Sequence, residues 1–218
     1  MSISNYLPIW DKLSQQEKDL IEQSCTPRTA KAGEYVHGGG NECTGLLVIK
    51  SGQLRAYILS DEGKEVTLYR LLEGDICLFS ASCAMKSIQF DITVVAEKDT
   101  EFWMIPSETY RELMESSVAI SNYTNEIMAS RMSDIMWLME QIIWQSFDKR
   151  LATFLIEESS LEQSRELAIT HDAIANHLGT AREVVTRMLK HFKSDGLIEL
   201  TRGKIKILDI KKLSSIID

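Results

Sequence analysis

Arg182, Glu183, Thr186 and Arg187 stand close together in AREVVTRMLKHFK, and at helical spacing they share one face. These side chains can read a base edge. An arginine fork bonds guanine O6 and N7 together, a carboxylate accepts from the cytosine amino group, and a threonine suits a thymine methyl or a phosphate. Lys190, one turn further on, adds a cation suited to holding a phosphate. The competing reading of such a stretch is a solvated face with i,i+4 ion pairs. Context must decide between the two.

A second set of reactive side chains lies upstream. Cys77 and Cys83 flank Leu-Phe-Ser-Ala-Ser, with Lys86 close by, and Cys25 and Cys43 stand elsewhere. A nearby cation is what a reactive thiolate needs, so Cys77, Cys83 and Lys86 are candidates for a thiol redox switch or a small-molecule site. The competing reading is buried small hydrophobes. An iron–sulfur or haem ligand set is disfavoured, because the gaps between cysteines are 17, 33 and 5 residues, not the close spacing of a cluster. His171, His177 and His191 read as helix-surface residues and His37 as polar surface in a turn. No histidine spacing completes a zinc site.

The elements around the reading face supply the context. Ile174, Ala175 and Leu178 recur at helical spacing, and Gly179 provides the permissive backbone of a sharp turn. Thr180, with Glu183 three residues later, forms a capping-box pattern that predicts a second helix starting at once. Its buried face is expected to hold Val184, Val185, Met188, Leu189 and Phe192. Asp195-Gly196 then turns the chain into two alternating strands, Leu197 to Leu200 and Lys204 to Leu208. Between them Thr201-Arg202-Gly203 makes a basic hairpin tip. A helix-turn-helix followed by a wing brings the first turns of its second helix to base edges in the major groove. Double-stranded DNA is the expected partner.

Charge agrees once it is divided. The whole chain carries 24 basic and 32 acidic residues, which alone argues against a nucleic-acid binder. Residues 1 to 146 hold 12 basic and 21 acidic side chains, whereas 180 to 212 hold 9 and 4. A basic surface on an acidic body can still gain free energy by releasing counterions from DNA. The acidic remainder discourages nonspecific adhesion.

Residues 10 to 25 read as a short helical segment. Short β-rich runs follow at Leu46 to Lys50, Leu54 to Leu59, Val66 to Leu72, Asp91 to Ala96 and Thr100 to Ile105, separated by glycine turns. That rhythm predicts a small antiparallel barrel or jelly roll. Beyond Pro106 the chain reads helical for about forty residues. Met128, Ile135 and Ile142 recur seven apart with Leu138 between them, a seam for a partner helix, although Arg131 and Gln145 interrupt it. The competing reading lays this helix on its own barrel. The fold class is α+β: an N-terminal antiparallel β-roll (1–115), a long dimerisation helix (116–146) and a C-terminal winged helix-turn-helix (147–218).

No run approaches the roughly 18 apolar residues of a membrane helix, and the N-terminus lacks the pattern of a signal peptide, so a cytoplasmic location is expected. No Walker loop, dinucleotide glycine motif, nucleophile elbow or HExxH helix is present, and the chain does not read as an enzyme. Two alternatives stay open: a peroxidase-like thiol enzyme at Cys77 or Cys83, and a dimeric ligand-binding module inactive toward DNA.

A glycine-punctuated β-roll carrying SGQLRAYILSDEGKEVTLYRLLEGD, a long helix and a terminal wing with Arg182-Glu183-Val184-Val185-Thr186-Arg187 resembles the cyclic-AMP receptor protein/FNR family of bacterial regulators. The resemblance covers almost the whole chain. It implies a homodimer whose sensor domains bind a small-molecule effector and reorient the DNA-binding domains, with RNA polymerase as a further partner. Arg182, Glu183 and Arg187 match the base readers of the cyclic-AMP receptor branch, and Thr186 sits where the FNR branch uses a serine. The match implies half-sites resembling TGTGA rather than TTGAT. Thr170 matches the cap of the first helix, and His171 stands where a basic phosphate contact is usual.

One departure from the family bears on the effector. Cyclic-nucleotide members follow Gly-Asp with a Gly-Glu-rich phosphate cassette ending in an arginine. Here Gly74-Asp75 leads into ICLFSASCAMKSIQFDITVVA, with no Gly-Glu and no arginine between Arg70 and Arg111. Lys86 alone is a poor substitute for a bidentate fork. Cyclic AMP is therefore not the expected effector, and the resemblance is to the branch that does not use cyclic nucleotides. FNR-type clusters also use a cysteine-rich N-terminus, where this chain has only Cys25 before Cys43.

Overall fold

The run Leu46-Leu47-Val48-Ile49 is apolar without a break because its strand is buried on both faces. Strand β3 (Leu46–Ser51) turns Leu47 and Ile49 into one apolar cluster and Leu46 and Val48 into another. The computed structural model describes residues 2–38, 44–78, 80 and 92–217. Two four-stranded antiparallel sheets form the roll. One has the order β1 (Thr26–Ala30), β8 (Thr100–Ile105), β3, β6 (Ile76–Cys77). The other has β2 (Tyr35–His37), β7 (Thr93–Ala96), β4 (Leu54–Leu59), β5 (Glu65–Leu71). Leu47, Ile49, Leu54, Ala56, Leu71, Val94 and Phe102 fill one cluster. The other packs Leu46, Val48 and Ile105 against α1 (Gln15–Ser24), α2 (Ser107–Ser116) and the start of α3 (Val118–Trp144).

Strands β4 and β8 have the predicted bounds. The segment expected to start at Asp91 forms a strand from Thr93, and Asp91 itself lies outside the described residues. The expected helix at 10–25 is the shorter α1, opened by a complete capping box from Ser14 and Glu17 and preceded by a 3-10 turn at Trp10–Lys12. The forty-residue helical stretch breaks at Ser117, whose extended backbone ends α2. Gly52, between β3 and β4, has φ +94° and lies so close to the neighbouring strand that a Cβ there would stand 2.4 Å from the Asp99 carbonyl oxygen. Only glycine fits.

The chain forms two compact units: Met1–Leu59 with Leu68–Ile135, and Ser60–Thr67 with Met136–Asp218. In the second unit, α4 (Phe147–Leu161), α5 (His171–Leu178) and α6 (Arg182–Ser194) share one core with the wing. The wing is built of β9 (Glu166–Leu167), β10 (Ile198–Thr201) and β11 (Lys204–Ile207) in the order β10-β11-β9, and a short α7 (Ile210–Ser214) closes the core. Leu151, Leu155, Ile174, Val185 and Leu189 are fully buried there.

Of the predicted seam, Met128, Ile135 and Leu138 are half-exposed and Ile142 is exposed; Met132, Met136, Met139 and Ile143 are 58%, 50%, 47% and 58% exposed, and Trp137 and Trp144 also face out. Arg131 interrupts the expected seam because it faces the roll. One sequence expectation about helices fails. Thr180 does not cap α6. Its amide closes the preceding turn onto the Ala175 carbonyl, and extended Ala181 takes the cap position without a side-chain bond.

Candidate nucleic-acid interface

The sequence REVVTRMLKHFKS folds as a helix whose inward stripe is Val185, Leu189 and Phe192, with Val184 and Met188 half-buried beside it. Burying that stripe obliges the polar residues to face out. Arg182, Glu183, Arg187 and Lys190 are exposed, Thr186 is half-buried, and these five side chains line one shallow open depression of about 350 Å³. Four charged groups and a hydroxyl, unobstructed over two helical turns, can make both base-edge bonds and phosphate contacts.

Helix α5 and the turn hold α6 in place. Thr170 caps α5 by accepting from the Ala173 amide at 3.1 Å, the role expected of it. Gly179 ends α5 with φ +63°, and a Cβ there would meet Val66 Cγ2 at 2.5 Å, so conformation and space both require glycine. The Arg150 guanidinium donates to the Leu178 carbonyl, satisfying an acceptor at the helix end. Asp172 pairs with Arg182 at 3.3 Å, and His171 Nδ1 lies 2.9 Å from Thr186 Oγ1.

The remaining predicted residues fall elsewhere. Arg202 is exposed at the wing tip and does not line the depression. Nearby Lys204 is bound to Glu166, whose carboxyl is held below the usual range mainly by that hydrogen bond. His191, on the helix surface, pairs with Asp195 at 2.9 Å. His177 is not a surface residue: it is buried, with Nδ1 2.8 Å from Thr67 Oγ1 and its ring 5.2 Å from that of Phe154. His37 is buried too, 3.1 Å from Thr44 Oγ1. In both, the partner is a threonine that the local sequence does not reveal.

In the roll, Cys77 is fully buried in the apolar core. That is the environment of an inert thiol. Cys43, Cys83 and Lys86 lie outside the described residues. Burial, chiefly, pushes the Cys25 thiol up. Among the described residues, no group of three His, Cys, Asp or Glu could hold a metal ion.

The interior of the roll is charged in a way the sequence reading missed. Arg70 bonds Glu97 at 2.7 Å, with both side chains less than one-fifth exposed. The Arg55 guanidinium lies 4.3 Å from the Tyr57 ring. Arg131, from α3, stacks 4.5 Å over the Tyr69 ring, bonds Asp134 at 3.0 Å and lies 3.8 Å from Asp75. Burial drives the Tyr69 hydroxyl well above its ordinary range. Asp75, Ile76, Tyr123, Ile127, Ser130 and Arg131 line a cavity of about 180 Å³ together with Gly74. The arginine break in the predicted seam was the one sequence sign that α3 turns a charge toward the roll.

Comparison with known proteins agrees with this architecture. Residues 27–117 match the cyclic nucleotide-binding domain and 149–216 the Crp-like helix-turn-helix domain. A solved structure described as a crp/fnr-family regulator from Eubacterium rectale ATCC 33656 is 56% identical, with a TM-score of 0.96, and the alignment covers 98% of this chain and 99% of that one. This chain belongs to the CRP/FNR family. It is a DNA-binding transcriptional regulator. More distant family members include the transcriptional activator protein FnrA of Stutzerimonas stutzeri, 27% identical over 90% of this chain and 83% of that protein. Another is the cyclic AMP receptor protein of Thermus thermophilus, 23% identical over 96% of each. Among the described residues, no helix is long and apolar enough to cross a membrane.

Proposed function

We propose that this regulator acts as a cytoplasmic homodimer on a palindrome of TGTGA-like half-sites, under the control of an effector sensed in the β-roll. The division of labour is a sensor at 1–115, a dimer helix at 116–146 and a DNA-binding domain at 147–218. The observation that carries the reading is the single depression lined by Arg182, Glu183, Thr186, Arg187 and Lys190. Thr170, His171 and Arg202 flank it as supporting contacts. The exposed stripe Met132, Met136, Met139 and Ile143 suits a second copy of α3, since its 4-3-4 spacing is that of a coiled-coil seam. Family membership supports RNA polymerase as a further partner.

For the effector, the cavity beside Arg131 favours a small molecule. The burial of Cys77 disfavours a thiol signal at that residue. Arg70 and Arg131 already face carboxylates, so they do not stand ready to hold a cyclic phosphate. DNA selection from a random pool, run under reducing and oxidising conditions, tests the reading. A palindrome with TGTGA-like arms selected equally in both supports it. Redox-dependent selection abolished by Cys83→Ser would move sensing to the thiols, and selection of unpaired half-sites would contradict the dimer.

A further inference from the structure

The five residues of the depression are not equivalent. Arg182, Glu183, Arg187 and Lys190 are exposed, whereas Thr186 is half-buried against α5, where His171 also is half-buried. The His171 Nδ1 to Thr186 Oγ1 distance of 2.9 Å is a full hydrogen bond. Next to it, Asp172 meets Arg182 at 3.3 Å, but both side chains of that pair are about three-fifths exposed, and such pairs are weak. The weight therefore rests on His171.

A threonine hydroxyl has one donor and two acceptor sites, and standing free it can bond either kind of base edge. A ring nitrogen 2.9 Å away removes that freedom. We propose that His171 is a positioning residue that fixes the polarity of Thr186 toward DNA, an inference that rests on the DNA-reading assignment above. In the Nε2–H tautomer the ring accepts the Thr186 proton at Nδ1, and the hydroxyl shows the groove only acceptor lone pairs. A phosphate oxygen at the other ring nitrogen selects the same tautomer, because it can only accept. The matching base edge carries an exocyclic amino group, which is adenine N6 or cytosine N4 in the major groove. His171 thus contributes to sequence selection without touching a base.

The test is competition binding of the full chain and its H171A, H171N and T186V variants to duplexes carrying each base in turn at every half-site position, at two salt concentrations. T186V identifies the position by abolishing preference there. H171A should lower the preference for adenine or cytosine at that same position by roughly threefold to tenfold, the range of one hydrogen bond. The slope of affinity against salt should stay unchanged. H171N, whose Oδ1 can stand where Nδ1 stands, should restore the preference. Uniform weakening by H171A on all sequences, with the salt slope reduced by about one and the preference at that position intact, would make His171 a charged phosphate contact and nothing more, and overturn the proposal. An unchanged preference in H171A would overturn it as well. A wild-type chain with no base preference at any position would instead overturn the DNA-reading assignment itself.

Discussion

The arginines of α6 and those of the β-roll are the same residue type put to opposite uses. Arg182 and Arg187 stand in water on an open face, and Arg182's pairing to Asp172 is itself solvent-exposed. Arg70 and Arg131 are four-fifths or more buried, against Glu97 and against Asp134 and the Tyr69 ring. An exposed cation keeps its charge available to a polyanion and loses little by exchanging partners. A buried one is committed, because removing either partner leaves a charge in a medium that solvates it poorly. The buried charges of the roll are tied to partners within the fold, and those of α6 are open to another molecule.

That contrast can be broken by experiment. The largest effect is expected from Arg70→Ala, which takes away the cation facing the half-buried Glu97 carboxylate while the Gln53 amide still donates to it, and should cost about 2–4 kcal/mol of folding stability. Base preference should be untouched. Urea unfolding beside DNA selection reads both, and a variant that unfolds like wild type but loses selectivity would reverse the roles assigned to the two regions.

High pH should separate the regions next. Burial, only partly opposed by the 2.5 Å bond to Thr124, pushes the Tyr110 hydroxyl up to about 12, and Tyr69 moves in the same direction. Tyrosines of the unfolded chain titrate near pH 10, so the folded state holds these protons more tightly. The stabilisation is intact below about pH 10 and is lost as pH rises toward 12. All six tyrosines precede residue 124, so the DNA-binding segment carries none of this dependence. Tyr110→Phe should flatten the alkaline melting curve, and Thr124 keeps its bond to the Ile120 carbonyl in that variant. A curve insensitive to the substitution would contradict the assignment.

The smallest expected effect is none. A ligand bound only by the native state, at a hundred times its dissociation constant, adds about 2.7 kcal/mol. Cyclic AMP at millimolar concentration should leave the melting temperature unchanged, and a clear rise would show that the roll binds the phosphate without the arginine of the family cassette.

Elements with a strong local pattern were legible in the sequence. Strands β4 and β8 have their predicted bounds, and the inward stripe of α6 and the Gly179 turn follow from periodicity and backbone freedom. Strand β1 was not legible. Thr26-Pro27-Arg28-Thr29-Ala30 has no apolar alternation, and it is a strand because β8 offers it an edge. The two-residue β6 is likewise made by its partner β3. The five residues that line the α6 depression could be grouped from the sequence because all of them lie on one helix. His37 and His177 were misjudged because Thr44 and Thr67, which bond them, are 7 and 110 residues away in the chain, and Arg131 could be read only as a break in the seam because Tyr69, on which it stacks, is 62 residues away. The capping box at Thr180 failed because a tight turn claimed its amide first.

Whether α6 reads bases is decided by binding of wild type and Arg187→Ala to duplexes substituted one base pair at a time across the half-site. The expected loss is about 1–3 kcal/mol concentrated at one guanine, where the variant no longer discriminates. Equal weakening on every duplex, with a shallower salt dependence and no change in preference, would make Arg187 a phosphate anchor and α6 no reader of sequence at that position.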